Sequence, residues 1–191
     1  MQKSRMIYED VNALIEEEGT RDPHDILISR KVTVLPFRMD TNILGMYTDV
    51  VGKKFVFYNR RLDETMKRMV LAHELGHNFY HYDYADLSTA ESMSKKSNEE
   101  LEANIFAAHL LIKTEDILSL YEEGYDVNEI ASFLYVRPEL CNIKLNELQK
   151  MGYKIAGNFS IQSDFFKNIK GMDEENWDSE FVHEDSDFFD F

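Results

Sequence analysis

Two histidines four residues apart, His73 and His77, form the pair of side chains best spaced to do chemistry. On a helix, residues four apart lie one above the other on the same face, so both imidazoles can reach one metal ion. Glu74 lies about 100° further round the helix, beside such an ion rather than on it. Imidazole suits Zn²⁺, which can leave one tetrahedral position open for water. Because a nearby carboxylate can take a proton from that water, the pattern predicts hydrolytic chemistry.

The segment that carries this pair has the signals of a buried helix. Asp63 is placed to cap its N-terminus, and the apolar stripe that follows runs through both histidines. Gly76 costs about 1 kcal/mol relative to alanine inside a helix, which suggests that another backbone or a substrate passes close by. His81 lies about 12 Å along the axis from His73, too far to share an ion on a straight helix. The alternative interpretation is an ordinary helix that happens to contain two histidines.

A catalytic zinc normally holds three protein ligands, and a second helix, predicted from about Ser97, should supply the third. Glu102 points away from the apolar stripe of this helix, whereas Glu99 and Glu100 flank the stripe about equally. Asn104 follows Glu100 by one turn and could support it with a hydrogen bond, which favours Glu100. The competing interpretation is a capping box of Ser97 and Glu100, in which the glutamate serves only a backbone N–H.

The chain ahead of the two histidines predicts two helices followed by a small antiparallel sheet of three strands. The helices are expected at residues 4–18 and 23–30, and the strands at 32–37, 44–50 and 53–58. Val51-Gly52 is a hairpin turn signal between the last two strands. An edge strand beside a metal site could bind an extended peptide, although a sheet that merely covers the core fits the sequence equally well.

Beyond the second metal-binding helix, three more helices are predicted between Thr114 and Gly152. Residues 82–96 lack a clear period and are expected to form a long connection, either a functional lid or a mobile loop. His109 falls on the face opposite the apolar stripe and is expected to be structural or exposed. Residues 126–149 have the outline of a helix-turn-helix, but their acidic residues offset the basic ones, which disfavours DNA binding.

The composition is that of an acidic intracellular protein. A formal net charge of -15 over 191 residues repels nucleic acid and anionic lipid. Cys141 is the single cysteine, so no internal disulfide can form and a reducing compartment, the cytoplasm, is expected. The sequence lacks the apolar core of a signal peptide and any run long enough for a membrane span. Residues 1–155 are expected to form the folded domain, and the acidic, aromatic residues 156–191 a flexible or docking tail.

Two blocks of sequence resemble the ImmA/IrrE family of zinc metallopeptidases. They are Val70-Leu-Ala-His-Glu-Leu-Gly-His77 and Glu100-Leu-Glu-Ala-Asn-Ile-Phe-Ala-Ala-His-Leu-Leu111, and the likeness covers roughly residues 5–150. The resemblance implies a zincin-like, mainly helical α+β domain around the metal. The residues it implies are the zinc ligands His73, His77 and Glu100, the catalytic base Glu74, and Asn104 as support for a ligand.

The same resemblance implies a regulatory role, because members of the family act on helix-turn-helix repressors. The chain departs from the family at Leu111-Ile-Lys113, where Leu-Met-Pro is common, and this departure concerns the following loop and not the metal. We therefore expect a cytoplasmic zinc endopeptidase that cleaves a transcriptional repressor and contacts neither nucleic acid nor membrane directly. The alternative is a non-catalytic anti-repressor that keeps a structural metal and acts by binding its partner.

Overall fold

The computed structural model describes residues 2–80 and 90–159, which form seven helices and one three-stranded sheet. In chain order these are α1 (Gln2–Glu18), α2 (Pro23–Ser29), β1 (Val32–Pro36), β2 (Gly45–Val50), β3 (Lys53–Tyr58), α3 (Glu64–Tyr80), α4 (Ala90–Leu111), α5 (Thr114–Glu122), α6 (Val127–Leu134) and α7 (Pro138–Lys150). The predicted α+β class is confirmed. Among the helices described, none has the length and apolar character needed to cross a bilayer.

The sheet is mixed, so the prediction of an antiparallel sheet was wrong. β3 lies in the centre, antiparallel to β2 and parallel to β1. Val51 and Gly52 form the two-residue turn between β2 and β3, and their φ angles of 53° and 77° are both left-handed. A hairpin turn of this kind sets the register of the two strands that it joins. β1 is parallel to β3 because the chain returns along β2 before β3 begins. Residue periodicity identifies strands but carries no information on the direction in which they pair.

Aspartates fix the starts of several helices. Asp22 caps α2 by accepting hydrogen bonds from two backbone N–H groups, and Asp126 does the same for α6. Asp63, at the position predicted for a cap, accepts a hydrogen bond of 2.7 Å from the N–H of Met66. Each bond satisfies a donor that the first helical turn leaves unpaired. The cap at Asp63 therefore fixes the residue at which α3 begins.

The C-terminal end of α4 is held by two arginines from other parts of the chain. Arg21 donates hydrogen bonds to the carbonyl oxygens of His109 and Leu110 at 3.1 and 3.0 Å, and Arg68 of α3 donates to that of Leu111 at 3.5 Å. Positive charge is favourable at this end of a helix because the last carbonyls carry partial negative charge. The two arginines thus tie α4 to α3 and to the segment before α2.

A lysine and a histidine are buried together on the side of α4 opposite Glu100. The Nζ of Lys144, on α7, lies 3.0 Å from the Nδ1 of His109, and these residues are only 1% and 2% exposed. His109, expected to be structural or exposed, is therefore buried. Burial lowers the pKa of Lys144 to about 7, with Arg21 adding to this effect and Glu115 opposing it. Burial also lowers the pKa of His109, with added repulsion from the two cations.

This buried lysine should make stability depend on pH. An unfolded lysine titrates near pH 10.4, so between about pH 7 and about pH 10 the unfolded chain binds a proton that folded Lys144 lacks. The free energy of unfolding of the wild-type protein therefore rises with pH in that window, because the folded state accepts the neutral amine. Lys144→Met removes this effect. Between about pH 7.5 and about pH 9.5 the free energy of unfolding of the wild type should therefore rise by about 2 kcal/mol more than that of the variant.

Urea unfolding of both proteins at the two pH values measures this difference. Lys113→Met, at an exposed lysine, is the matched control and should keep the wild-type rise. If Lys144→Met also follows the wild type, the ammonium of Lys144 stays charged in the folded protein and the prediction fails.

Candidate metal centre

Both predicted histidines point from α3 into the interior. His73 is 4% exposed and His77 is 9% exposed. Their Nε2 atoms lie 3.0 Å apart, and the two rings are nearly perpendicular, with an interplanar angle of 85°. The helical spacing of four residues thus aims two ring nitrogens at one point, as the sequence predicted.

The carboxylate of Glu100, on α4, completes a group with these two nitrogens. Its oxygens lie 3.6 Å from the Nε2 of His73 and 3.8 Å from the Nε2 of His77. Within the described residues, the potential ligand atoms of this group all lie within 4.8 Å of one another. Zinc bonds of about 2.0–2.2 Å in a tetrahedron place ligand atoms about 3.3–3.6 Å apart. The separations therefore fit a single small cation to within a few tenths of an ångström.

Helix α4 begins well before the position expected from the sequence. It starts at Ala90, not near Ser97, so Ser97 is inside the helix and cannot be an N-cap. The capping-box interpretation of Glu100 was therefore wrong. The expected connection over residues 82–96 is helical from Ala90 onward, and its earlier part, together with His81, lies outside the described residues.

The other acidic residues of α4 take different positions from Glu100. Glu102 forms an ion pair with Lys3 of α1 at 3.2 Å, and Glu99 is not part of the group with the two histidines. Asn104, one turn after Glu100, is completely buried at 0% exposure. Of the two glutamates that sequence left open, the structure brings Glu100 to the histidines.

Glu74 lies beside this group and is fixed by the sheet. It is 6% exposed, and its Oε2 accepts a hydrogen bond of 2.8 Å from the backbone N–H of Tyr47, on the edge strand β2. Burial raises the pKa of Glu74 to about 7, against the lowering effects of His73 and of the Tyr47 N–H, and the charge of Glu100 adds to the rise. Glu74 is therefore a carboxyl group that can bind and release a proton near neutral pH.

Sequence reasoning missed the two residues of β2 that approach this carboxylate. A Cβ atom added to Gly45 would lie 2.8 Å from the Oε1 of Glu74 and would also collide with Val70. Tyr47 supplies the backbone donor, which no side-chain pattern reveals. A glycine inside a predicted strand was the available signal, because it often marks a close approach of another group.

The chain is similar in sequence to one known family and to two known proteins. The family model of the IrrE N-terminal-like domain, peptidase family M78, matches residues 29–146, more than half of the chain. Over 141 residues the chain is 26% identical to "Uncharacterized immunity region protein 2" of Bacillus phage phi105, an alignment that covers 73% of this chain and 89% of that protein. Over 157 residues it is 25% identical to "Metallopeptidase ImmA" of Bacillus subtilis strain 168, covering 80% and 91%.

The spacing of α3 and α4 depends on the glycine between the histidines. A Cβ atom at Gly76 would lie 3.0 Å from the Cα and 3.3 Å from the carbonyl oxygen of Ala103, and 3.2 Å from the Cβ of Phe106. Another backbone therefore does pass close to Gly76, which was one of the two alternatives that its presence suggested. With glycine at 76 facing alanine at 103, the two helix backbones come close together, which brings Glu100 within reach of the histidines.

Gly76→Ala should separate the two helices and weaken both the fold and the site. Helix propensity alone would stabilise the variant by about 1 kcal/mol. The steric conflict should outweigh this gain, so that the variant is less stable than the wild type by about 1–3 kcal/mol. Chemical denaturation measures the sign, and titration with Zn²⁺ should show weaker binding because Glu100 moves with α4. An increase in stability with unchanged metal affinity would contradict this account of the crossing.

Proposed function

The chain belongs to the IrrE N-terminal-like peptidase family, and we propose that it is a zinc-dependent endopeptidase of the ImmA/IrrE type. The observation that carries the proposal is the convergence of His73, His77 and Glu100 from two helices, with Glu74 held beside them. Two imidazoles and a carboxylate are a donor set typical of hydrolytic zinc sites, in which a fourth position remains open.

In this proposal His73 and His77 hold the ion through their Nε2 atoms and Glu100 through its carboxylate. Asn104, buried one turn after Glu100, supports the position of that ligand. A mixed nitrogen and oxygen set favours Zn²⁺ over Ca²⁺ or Mg²⁺, which prefer oxygen ligands alone. A zinc ion bound there would act as a Lewis acid toward water and toward the carbonyl oxygen of a peptide bond.

Glu74 is the proposed general base. As water attacks the peptide carbonyl carbon, the Glu74 carboxylate takes a proton from the water and then gives it to the nitrogen of the departing amine as the C–N bond breaks. The hydrogen bond from Tyr47 holds Oε2 and fixes the carboxylate plane. Because the side chain is buried and held in this way, little reorganisation is needed when the proton moves.

The proposed substrate is a repressor-type DNA-binding protein in the cytoplasm. Support comes from the family resemblance and from the phage relative, whose name assigns it to an immunity region. The charge is consistent with such a partner, because a chain with a formal net charge of -15 attracts basic proteins and repels DNA itself. A regulatory peptidase acting on the repressor protein, and not on its operator, accounts for these features together.

The ligand assignment can be tested with two neighbouring glutamates. Glu100→Gln should lower the affinity for Zn²⁺ by more than about 100-fold, since even supporting residues of metal sites contribute 10–100-fold. Glu99→Gln, one residue away on the same helix, is the matched control and should bind zinc as the wild type does. Competition with a chromophoric chelator measures both affinities. Equal losses in the two variants, or none, would rule out Glu100 as the ligand.

Glu74→Gln separates catalysis from binding. The amide oxygen of glutamine can still accept the hydrogen bond from Tyr47, so the fold and zinc content should be retained. Loss of the base should slow cleavage of a helix-turn-helix repressor that the wild-type protein cleaves by about 10²- to 10⁴-fold. Zinc analysis and gel-based cleavage are measured together. If the variant still relieves repression fully, the protein acts as the non-catalytic anti-repressor instead.

A further inference from the structure

The sheet has a second face that lies away from α3. Strand residues alternate between the two faces, and the inner positions Val32, Tyr47 and Val56 are buried at 2% exposure or less. On the opposite face Leu35, Phe57 and Met46 stand in register across the three strands. Leu35 and Met46 are 42% and 38% exposed. We call the set Leu35, Phe37, Met46, Phe55 and Phe57 the outer face.

The outer face is apolar and continuous. Phe57 stacks between Phe37 and Phe55, with ring centroids 5.7 and 6.0 Å apart. Among the described residues, none of these three rings belongs to the core or to the side chains packed against it. An apolar surface of this kind on a soluble protein usually marks a binding site. Its occupant should therefore present apolar, preferably aromatic, side chains.

The charge around the outer face differs from that of the rest of the chain. Residues 31–61, which contain the whole sheet, have six Lys or Arg and two Asp or Glu, although the chain as a whole carries -15. Lys53 lies on the outer face by strand alternation, and Lys31, Arg38 and Arg60 are exposed beside the strand ends, Arg60 in an ion pair with Asp40 at 3.1 Å. An acidic and aromatic occupant would therefore be attracted by both charge and apolar contact.

The chain itself contains a segment of this composition. Residues 160–191 have ten Asp or Glu, two Lys and seven aromatic residues. The described chain ends at Phe159, whose carbonyl oxygen accepts a hydrogen bond of 3.3 Å from Asn146. A segment of this length can span roughly 100 Å when extended, several times the radius of gyration of a domain of this size. It can therefore reach any part of the domain surface.

We propose that the outer face of the sheet binds the chain's own acidic, aromatic segment, residues 160–191. Phenylalanine or tryptophan side chains of the segment pack on Phe55 and Phe57, and its carboxylates lie near the basic residues that border the strands. The proposal rests on the exposed sheet face and on charge, and it holds whether or not the metal centre hydrolyses peptides.

Trp177, the single tryptophan, lies in this segment and reports on its surroundings in the full-length protein. Its fluorescence emission should be at shorter wavelength in the native protein than in the urea-unfolded chain. Lys53→Glu, at an exposed position, should move the native emission toward the unfolded wavelength, and so should Phe57→Ser. The matched controls Lys113→Glu and Phe133→Ser, at exposed positions away from the sheet, should keep the wild-type emission.

Circular dichroism shows whether each variant is folded, and Lys53→Glu tests the proposal even if Phe57→Ser does not fold. Three results would overturn it. The first is a native wild-type emission equal to that of the unfolded chain, which would leave the outer face to another protein. The second is a native emission wavelength that is the same in the sheet variants as in their controls. The third is a shift that depends on protein concentration, which would mean that the segment binds a second copy.

Discussion

The contact between α3 and α4 at Gly76 and Ala103 is the constraint on which the proposed metal centre depends. Two histidines from one helix cannot form a three-ligand site, so the third ligand must come from a helix that approaches closely. The backbone of α4 lies so near α3 that a single added Cβ at Gly76 would be 3.0 Å from the Cα of Ala103. Gly76 and Ala103 therefore allow a backbone approach that two larger side chains would prevent, and Glu100 comes into reach of both imidazoles.

Glu74, the proposed general base, is held by a different part of the fold. Glu74 follows directly after a histidine of the metal centre, yet its carboxylate is oriented by Tyr47 from β2. A buried carboxylate that lacked this donor would be costly, because removing a charged group from water is unfavourable unless it is hydrogen-bonded. The helix pair and the sheet thus contribute separately: the helices bring together His73, His77 and Glu100, and the edge strand orients Glu74.

Local patterns in the sequence were enough to predict most elements and the grouping of His73 and His77, because helical spacing alone puts them on one face. They were not enough for contacts between distant segments. The parallel pairing of β1 with β3, the donor from Tyr47 and the burial of Lys144 all depend on packing across the chain. The start of α4 was misplaced by seven residues since Ser97 imitates a cap inside a longer helix.

The two-residue turn at Val51 and Gly52 has a consequence for Glu74, which lies some distance away. Side chains and backbone groups alternate along a strand, so inserting or deleting one residue in the hairpin would rotate every position of β2 to the opposite side. Tyr47 would then leave the core, and its N–H would no longer point at Glu74. The length of this loop is therefore constrained by the need for the Tyr47 N–H to point at the proposed catalytic carboxylate. This holds although Val51, at the tip of the loop, is 99% exposed.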